Sequence, residues 1–318
     1  MNRTDYNKYM EQYLSTLPSM KKSDKTIRSY SMILRKFGEH LNSNKDGEQI
    51  QPITIVNFRT HLFNDGVNAN STATYLTVLH AFFEWASRMK LIEQNPVEIA
   101  EIPERSKVEY NLLTLDEIKT LLTKTPTEIN HKTALRNRAI VVLLLQAGLR
   151  NAELRNLTLS ALDFENSRII IKHGKGDKER TAPFPALARQ VIGEYLESGV
   201  RPSNLSPDDY LFGNDADDTG HSTEGAVWKP FSSMGLLSLV NRYTRLCCGH
   251  EVGVHALRHA AASYWDNMGI TMRDIQTALG HSSILVTEKI YVSMLNKSKA
   301  ANTINCAFDN SLQAVIAL

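Results

Sequence analysis

The stretch from Ala134 to Ala147 constrains this chain more than any other, because it runs through Ala139-Ile-Val-Val-Leu-Leu-Leu145 and then stops at Gly148. A helix over these residues is apolar on every side in its second half, so no face of it can be left to water. The apolar run is far below the ~18 residues a membrane span needs. Other parts of the same chain must therefore enclose it, and Gly148 supplies the left-handed residue that commonly ends such a helix. The 318 residues are enough for two such cores.

The first hundred residues read as a separate helical unit. From Ser23 the apolar positions Ile27, Tyr30, Leu34, Phe37 and Leu41 recur three or four apart, which predicts one buried helical stripe. Lys25, Arg28, Arg35 and Lys36 fall mostly off that stripe. A second strong helix carries Tyr75, Leu76, Leu79, Phe82, Phe83 and Ala86, with Asn70 as its expected cap. Residues 5–17 and 54–65 fit weaker helices, the latter stopped by Gly66. Four helices with short polar connections make a small bundle.

Pro96 and Pro103 interrupt the pattern, and the polar stretch from Glu104 to Glu109 reads as a linker. Thr114-Leu-Asp-Glu117 is a capping box that opens the next helix. After the central helix, Arg168-Ile-Ile-Ile171, the Gly174-Lys175-Gly176-Asp turn and an extended run to Phe184 predict a β-hairpin. Helices are expected at about residues 186–197, 233–247, 255–268 and 271–279.

Composition excludes several classes. With 42% hydrophobic and 22% charged residues the chain is ordinary globular material, neither disordered nor fibrous. No apolar stretch near Met1 has the form of a signal peptide. Three cysteines, two of them the neighbours Cys247 and Cys248, make no disulfide framework, so a reducing cytoplasm is expected. The net charge of only +2 does not announce a nucleic-acid partner. Any such claim has to rest on where the charges sit.

The chemistry-bearing cluster is His255-Ala-Leu-Arg258-His259. His255, Arg258, His259 and Ala262 lie three, four and seven apart and share one helix face. Two histidines at this interval can hold zinc, but the zinc-protease pattern needs a glutamate directly after the first, where Ala256 stands, and Arg258 would repel a cation. The bland reading is a polar helix face. Around it lie Gly148-Leu-Arg150-Asn-Ala-Glu153-Leu154, the Gly174-Lys175-Gly176 turn followed by Lys178 and Arg180, Leu279-Gly280-His281, and Tyr291.

These pieces, in this order, resemble the tyrosine recombinase family of phage integrases, Xer-type recombinases and transposon integrases. The family's tyrosine usually follows the last histidine by nine residues, whereas His281 and Tyr291 are ten apart. The resemblance implies a mainly α fold, α+β in the catalytic domain. A four-helix core-binding bundle (residues 1–103) and a linker (104–110) would precede a catalytic domain (111–318) with a small antiparallel β-sheet and a tail at 300–318. It implies a site-specific recombinase that cleaves and rejoins DNA through a 3′-phosphotyrosyl intermediate.

In that scheme Tyr291 is the nucleophile, while Arg150, Arg258 and His281 hold non-bridging phosphate oxygens. His255 either hydrogen-bonds the phosphate or accepts the tyrosyl proton. Lys175 is the general acid for the leaving oxygen, with Lys172 and Lys178 as rivals, and Glu153 and His259 support the site. DNA contacts are expected from Lys25, Arg28, Arg35, Lys36, Lys172, Lys178 and Arg180. No cofactor or metal is expected, since arginine forks supply the positive charge at phosphate. The implied partners are double-stranded DNA, further copies of the chain in a tetramer on paired sites, and accessory DNA-binding proteins. Bland alternatives are Arg150 as a helix-dipole partner and Tyr291 as a core aromatic. At the level of function, a catalytically silent DNA-binding relative or a type IB topoisomerase-like enzyme stays open.

Overall fold

The computed structural model describes residues 1–43, 49–98, 100, 113–172, 179–214 and 228–280. The chain divides into two compact units, Met1–Glu109 and Tyr110–Leu318. The expected linker, hairpin tip and C-terminal tail lie outside the described residues, as do Lys175, Lys178, His281 and Tyr291.

The first unit is built from α1 (Arg3–Thr16), α2 (Asp24–Ser43), α3 (Pro52–Asn64) and α4 (Ala69–Arg88). Of the expected stripe on α2, Leu34, Phe37 and Leu41 are buried and Ile27 and Tyr30 half-buried, and Ile33, outside the stripe, is buried beside them. Those side chains meet Tyr6 of α1, Phe58 of α3 and Phe82 and Phe83 of α4 in a core of edge-to-face rings, with Phe37 and Phe58 centred 5.0 Å apart. The Tyr6 hydroxyl, buried with them, donates to the Leu34 carbonyl at 2.9 Å, so its polar end is satisfied. The cap of α4 corrects the sequence reading. Asn68, not Asn70, is the N-cap, its side chain accepting from the Ser71 N–H at 2.9 Å. Asn70 falls inside the first turn, and both asparagines fit the composition rule equally well.

The second unit contains α5 (Leu115–Thr123), α6 (His131–Ala147), α7 (Asn151–Arg155), a 3-10 turn (Leu159–Ala161), β1 (Leu162–Asp163), β2 (Arg168–Ile171), β3 (Arg180–Pro183), α8 (Ala186–Glu197), α9 (Ser233–Cys248), α10 (Val254–Asn267) and α11 (Met272–Leu279). The Thr114–Glu117 capping box forms as expected. Helix α6 is enclosed by α5, α8, α9, α10 and β3, and residues Ala139 to Leu145 are all buried. Removing its apolar surface from water is the main force gathering these elements.

The hairpin pairs antiparallel with Ile169 opposite Ala182 and Ile171 opposite Arg180. Strand β1, two residues long and too short for alternation to reveal, adds an edge through Leu162 opposite Ile169. Ile169, Ile171 and Ala182 are buried, which defines the core side of the sheet. Helix α7 is a second element that periodicity missed, because five residues make little more than one turn. No described helix is long and apolar enough to cross a membrane.

Candidate active site

Two helix ends create the site. Helices α6 and α11 both stop at glycines in the left-handed region, Gly148 at φ 58° and Gly280 at φ 63°. A Cβ at Gly148 would come within 2.7 Å of Leu279 Cδ2, and one at Gly280 within 2.6 Å of Arg180 Cδ. Any other residue would strain the backbone and separate the two ends. Carbonyls in the last turn of a helix lack intrahelical partners and carry the negative end of its dipole. Here three arginines take them up.

Arg258, on the inner face of α10, donates from Nη1 to the Gly148 carbonyl and from Nη2 to the Leu279 carbonyl at 2.6 Å. Arg150, the N-cap of α7, donates from Nη2 to the Gly280 carbonyl at 2.6 Å. Arg180 donates from Nη1 to the Ala278 carbonyl.

Between them lies one carboxylate. Glu153, on α7 and only 5% exposed, accepts from the Arg150 backbone N–H at 2.8 Å and from Arg150 Nη1 at 2.6 Å. It also accepts from Arg180 Nη2 at 2.6 Å and Nε at 3.2 Å, and its Oε2 stands 3.8 Å from Arg258 Nη1. Burial alone would raise its pKa. The hydrogen bonds and charge of Arg180, with the backbone and side-chain bonds from Arg150, outweigh that and hold it down to about 2.

Among the described residues, three guanidiniums against one carboxylate leave local positive charge in surplus. Arg258 registers it: burial, with Arg150 and Arg180 close by, pulls its pKa down to about 9 despite the opposing pull of Glu153. His255 stands on the same face of α10 with an edge open to solvent. Desolvation and the charges of Arg258 and Arg150 hold its imidazole below the ordinary value. His259, one turn further on and more enclosed, is lowered to about 4 by burial, His255 and Arg258. Both rings are therefore neutral near pH 7.

Arg150, Glu153, His255, Arg258 and His259 are thus brought together from α7 and α10. Lys172 is exposed just beyond β2. Arg180, expected among the DNA-contacting side chains, is instead turned inward with a side chain only 9% exposed. Alternation along β3 was the available signal, since Arg180 is in phase with buried Ala182 and Phe184 while Thr181 between them is exposed. In the first unit Lys25, Arg28 and Arg35 are exposed on α2; Arg35 pairs with Glu11 at 3.2 Å, and half-buried Lys36 lies 3.7 Å from Asp65.

Residues 111–297 match the phage integrase family, and residues 10–90 match the phage integrase N-terminal SAM-like domain. The chain belongs to the phage integrase family. Among relatives of this tyrosine recombinase, XerA from Thermococcus onnurineus is 30% identical over 298 residues, covering 92% of this chain and 94% of that one. XerC from Lacticaseibacillus casei is 26% identical over 279 residues, covering 84% of this chain and 87% of that one. In fold, the recombinase is similar to the Tn1549 transposon integrase in complex with circular intermediate DNA, with a TM-score of 0.70 at 19% identity over 95% of this chain and 99% of that one.

Proposed function

We propose that this tyrosine recombinase cleaves and rejoins DNA at specific sites by passing a phosphodiester to Tyr291 and back. The tyrosyl oxygen bonds to phosphorus as the bond to the 5′-oxygen breaks, leaving a 3′-phosphotyrosyl link, and the reverse step reseals a strand. Arg150 and Arg258 hold the non-bridging oxygens, a preorganised arrangement in which each donor is worth about 3–4 kcal/mol in the transition state. His281 adds a further donor. His255, neutral at pH 7, is fit either to accept the tyrosyl proton or to hydrogen-bond the phosphate. Lys175 protonates the departing 5′-oxygen, an effect of roughly 10²–10⁴ in rate.

The observation that carries this reading is the surplus of buried guanidinium around Glu153. A phosphodiester entering there supplies the missing negative charge, and its transition state, more negative still at the oxygens, supplies more. Duplex DNA as partner, a tetramer on paired sites, accessory proteins and a cytoplasmic setting belong to the same proposal.

A nicked suicide substrate, which traps the covalent step, tests it. The wild-type protein should form a protein–DNA adduct. Tyr291→Phe should bind the same DNA and form none. Adduct from the phenylalanine variant would overturn the assignment of the nucleophile. Cleavage that requires two sites on one DNA would support the assembly, and equal cleavage of single sites would count against it.

A further inference from the structure

Arg180 stands opposite Ile171 on the core side of the hairpin, and all three nitrogens of its guanidinium are engaged. Two grip the Glu153 carboxylate as a fork, and the third takes a carbonyl in the last turn of α11. Its Cδ occupies the space beside Gly280 that a side chain there would need. One residue therefore joins β3, α7 and α11 at the point where Arg150 and Arg258 also converge.

We propose that Arg180 is a positioning residue of the recombination reaction: it clamps Glu153 and the end of α11, and so sets where Arg150 and Arg258 present their donors, without touching DNA itself. The proposal rests on the reading above, in which Arg150 and Arg258 hold the reacting phosphate. The physical reason is competition for one carboxylate. With Arg180 in place, both oxygens of Glu153 are taken on the hairpin side, and Arg258 is kept 3.8 Å away, short of a close ion pair. Without it, Glu153 has unfilled acceptor positions facing Arg258 and draws that guanidinium inward, away from phosphate, while Arg150, already 2.6 Å from the carboxylate, loses the partner that fixes where the carboxylate stands. Lysine, a point charge with no planar fork, cannot fill both oxygens and the Ala278 carbonyl together. Displacements of about 1 Å in such a site can cost on the order of 100-fold in rate.

The test compares Arg180→Gln, Arg180→Lys, Glu153→Gln and the Arg180→Gln/Glu153→Gln pair in the full-length protein. Single-turnover cleavage of the suicide substrate is measured beside salt-dependent, non-covalent DNA binding. Arg180→Gln should slow cleavage about 100-fold while the slope of log binding constant against log salt stays unchanged. A phosphate-contacting arginine would instead reduce that slope by about 1. The double variant should be no slower than its slower single parent, because each residue acts through the other. A reduced salt slope, or defects that multiply in the double variant, would overturn the proposal. If the glutamine variant does not fold by circular dichroism, Arg180→Lys decides. The proposal expects a folded protein that binds DNA normally and cleaves at least about tenfold slower; wild-type cleavage by it would overturn the proposal. Arg150→Ala serves as the control for the underlying reading. If it cleaves at the wild-type rate, the catalytic assignment fails, whatever Arg180 does.

Discussion

At the scale of single residues, Glu153 shows how much of the site is electrostatics under burial. Its carboxyl titrates at about 2 in the fold against an ordinary 4.5. A depressed acid stabilises the fold in its ionised form, so its contribution is complete above about pH 4.5 and is lost as pH falls from there toward 2. A shift of this size corresponds to about 3 kcal/mol. Urea unfolding at stepped pH should therefore show wild-type stability dropping through that window. Glu153→Gln should start lower and drop less; parallel curves for the two proteins would show that Glu153 is not the group responsible. The type of residue at this position was readable from the sequence, which placed a carboxylate three residues after Arg150. That it would answer to three arginines was not.

At the scale of elements, helix starts and stops followed rules that local sequence carries. Gly148 ended α6, the Thr114 box opened α5, and the apolar stripe of α2 went inward. The α4 cap shows the limit, because composition alone does not choose between two asparagines two residues apart. The choice depends on which one keeps extended backbone while the next residue turns helical, and that falls to Asn68 at ψ 159°. Asn68→Ala should cost about 1 kcal/mol in thermal or urea unfolding. A loss below a few tenths would mean the cap bond contributes nothing net. Elements α7 and β1 escaped notice for a different reason. Each spans little more than one period of its own pattern, too short to show a repeat; β1 is held by its pairing with β2, and α7 by the capping box of Arg150 and Glu153.

At the scale of the whole molecule, the first unit buries a hydrophobic core of its own, separate from those of the second, which accounts for why the N-terminal helices read as self-sufficient. The near-balance of total charge hides a local asymmetry on α2, where Lys25, Arg28 and Arg35 are all exposed. If these face DNA phosphates, replacing all three with alanine should weaken binding about equally on specific and random duplexes. The salt slope should fall by roughly one for each phosphate no longer neutralised, up to about 3. Titrations at several salt concentrations check this; an unchanged slope would place the DNA elsewhere on the unit.

The sequence by itself determined the longer helices, their apolar faces, the hairpin and the residue types of the site, because these depend on period, caps and glycine stops that act over a few neighbours. Tertiary structure alone decided the partnerships. Arg150, Arg180 and Arg258 come from a helix cap, a strand and a helix interior, and they meet only because burying α6 brings the ends of α6 and α11 together. Guanidiniums taken out of water there must find carbonyls and a carboxylate, wherever in the chain those lie. That requirement turned Arg180 inward, from a residue resembling its basic neighbours on the hairpin into the clamp on Glu153.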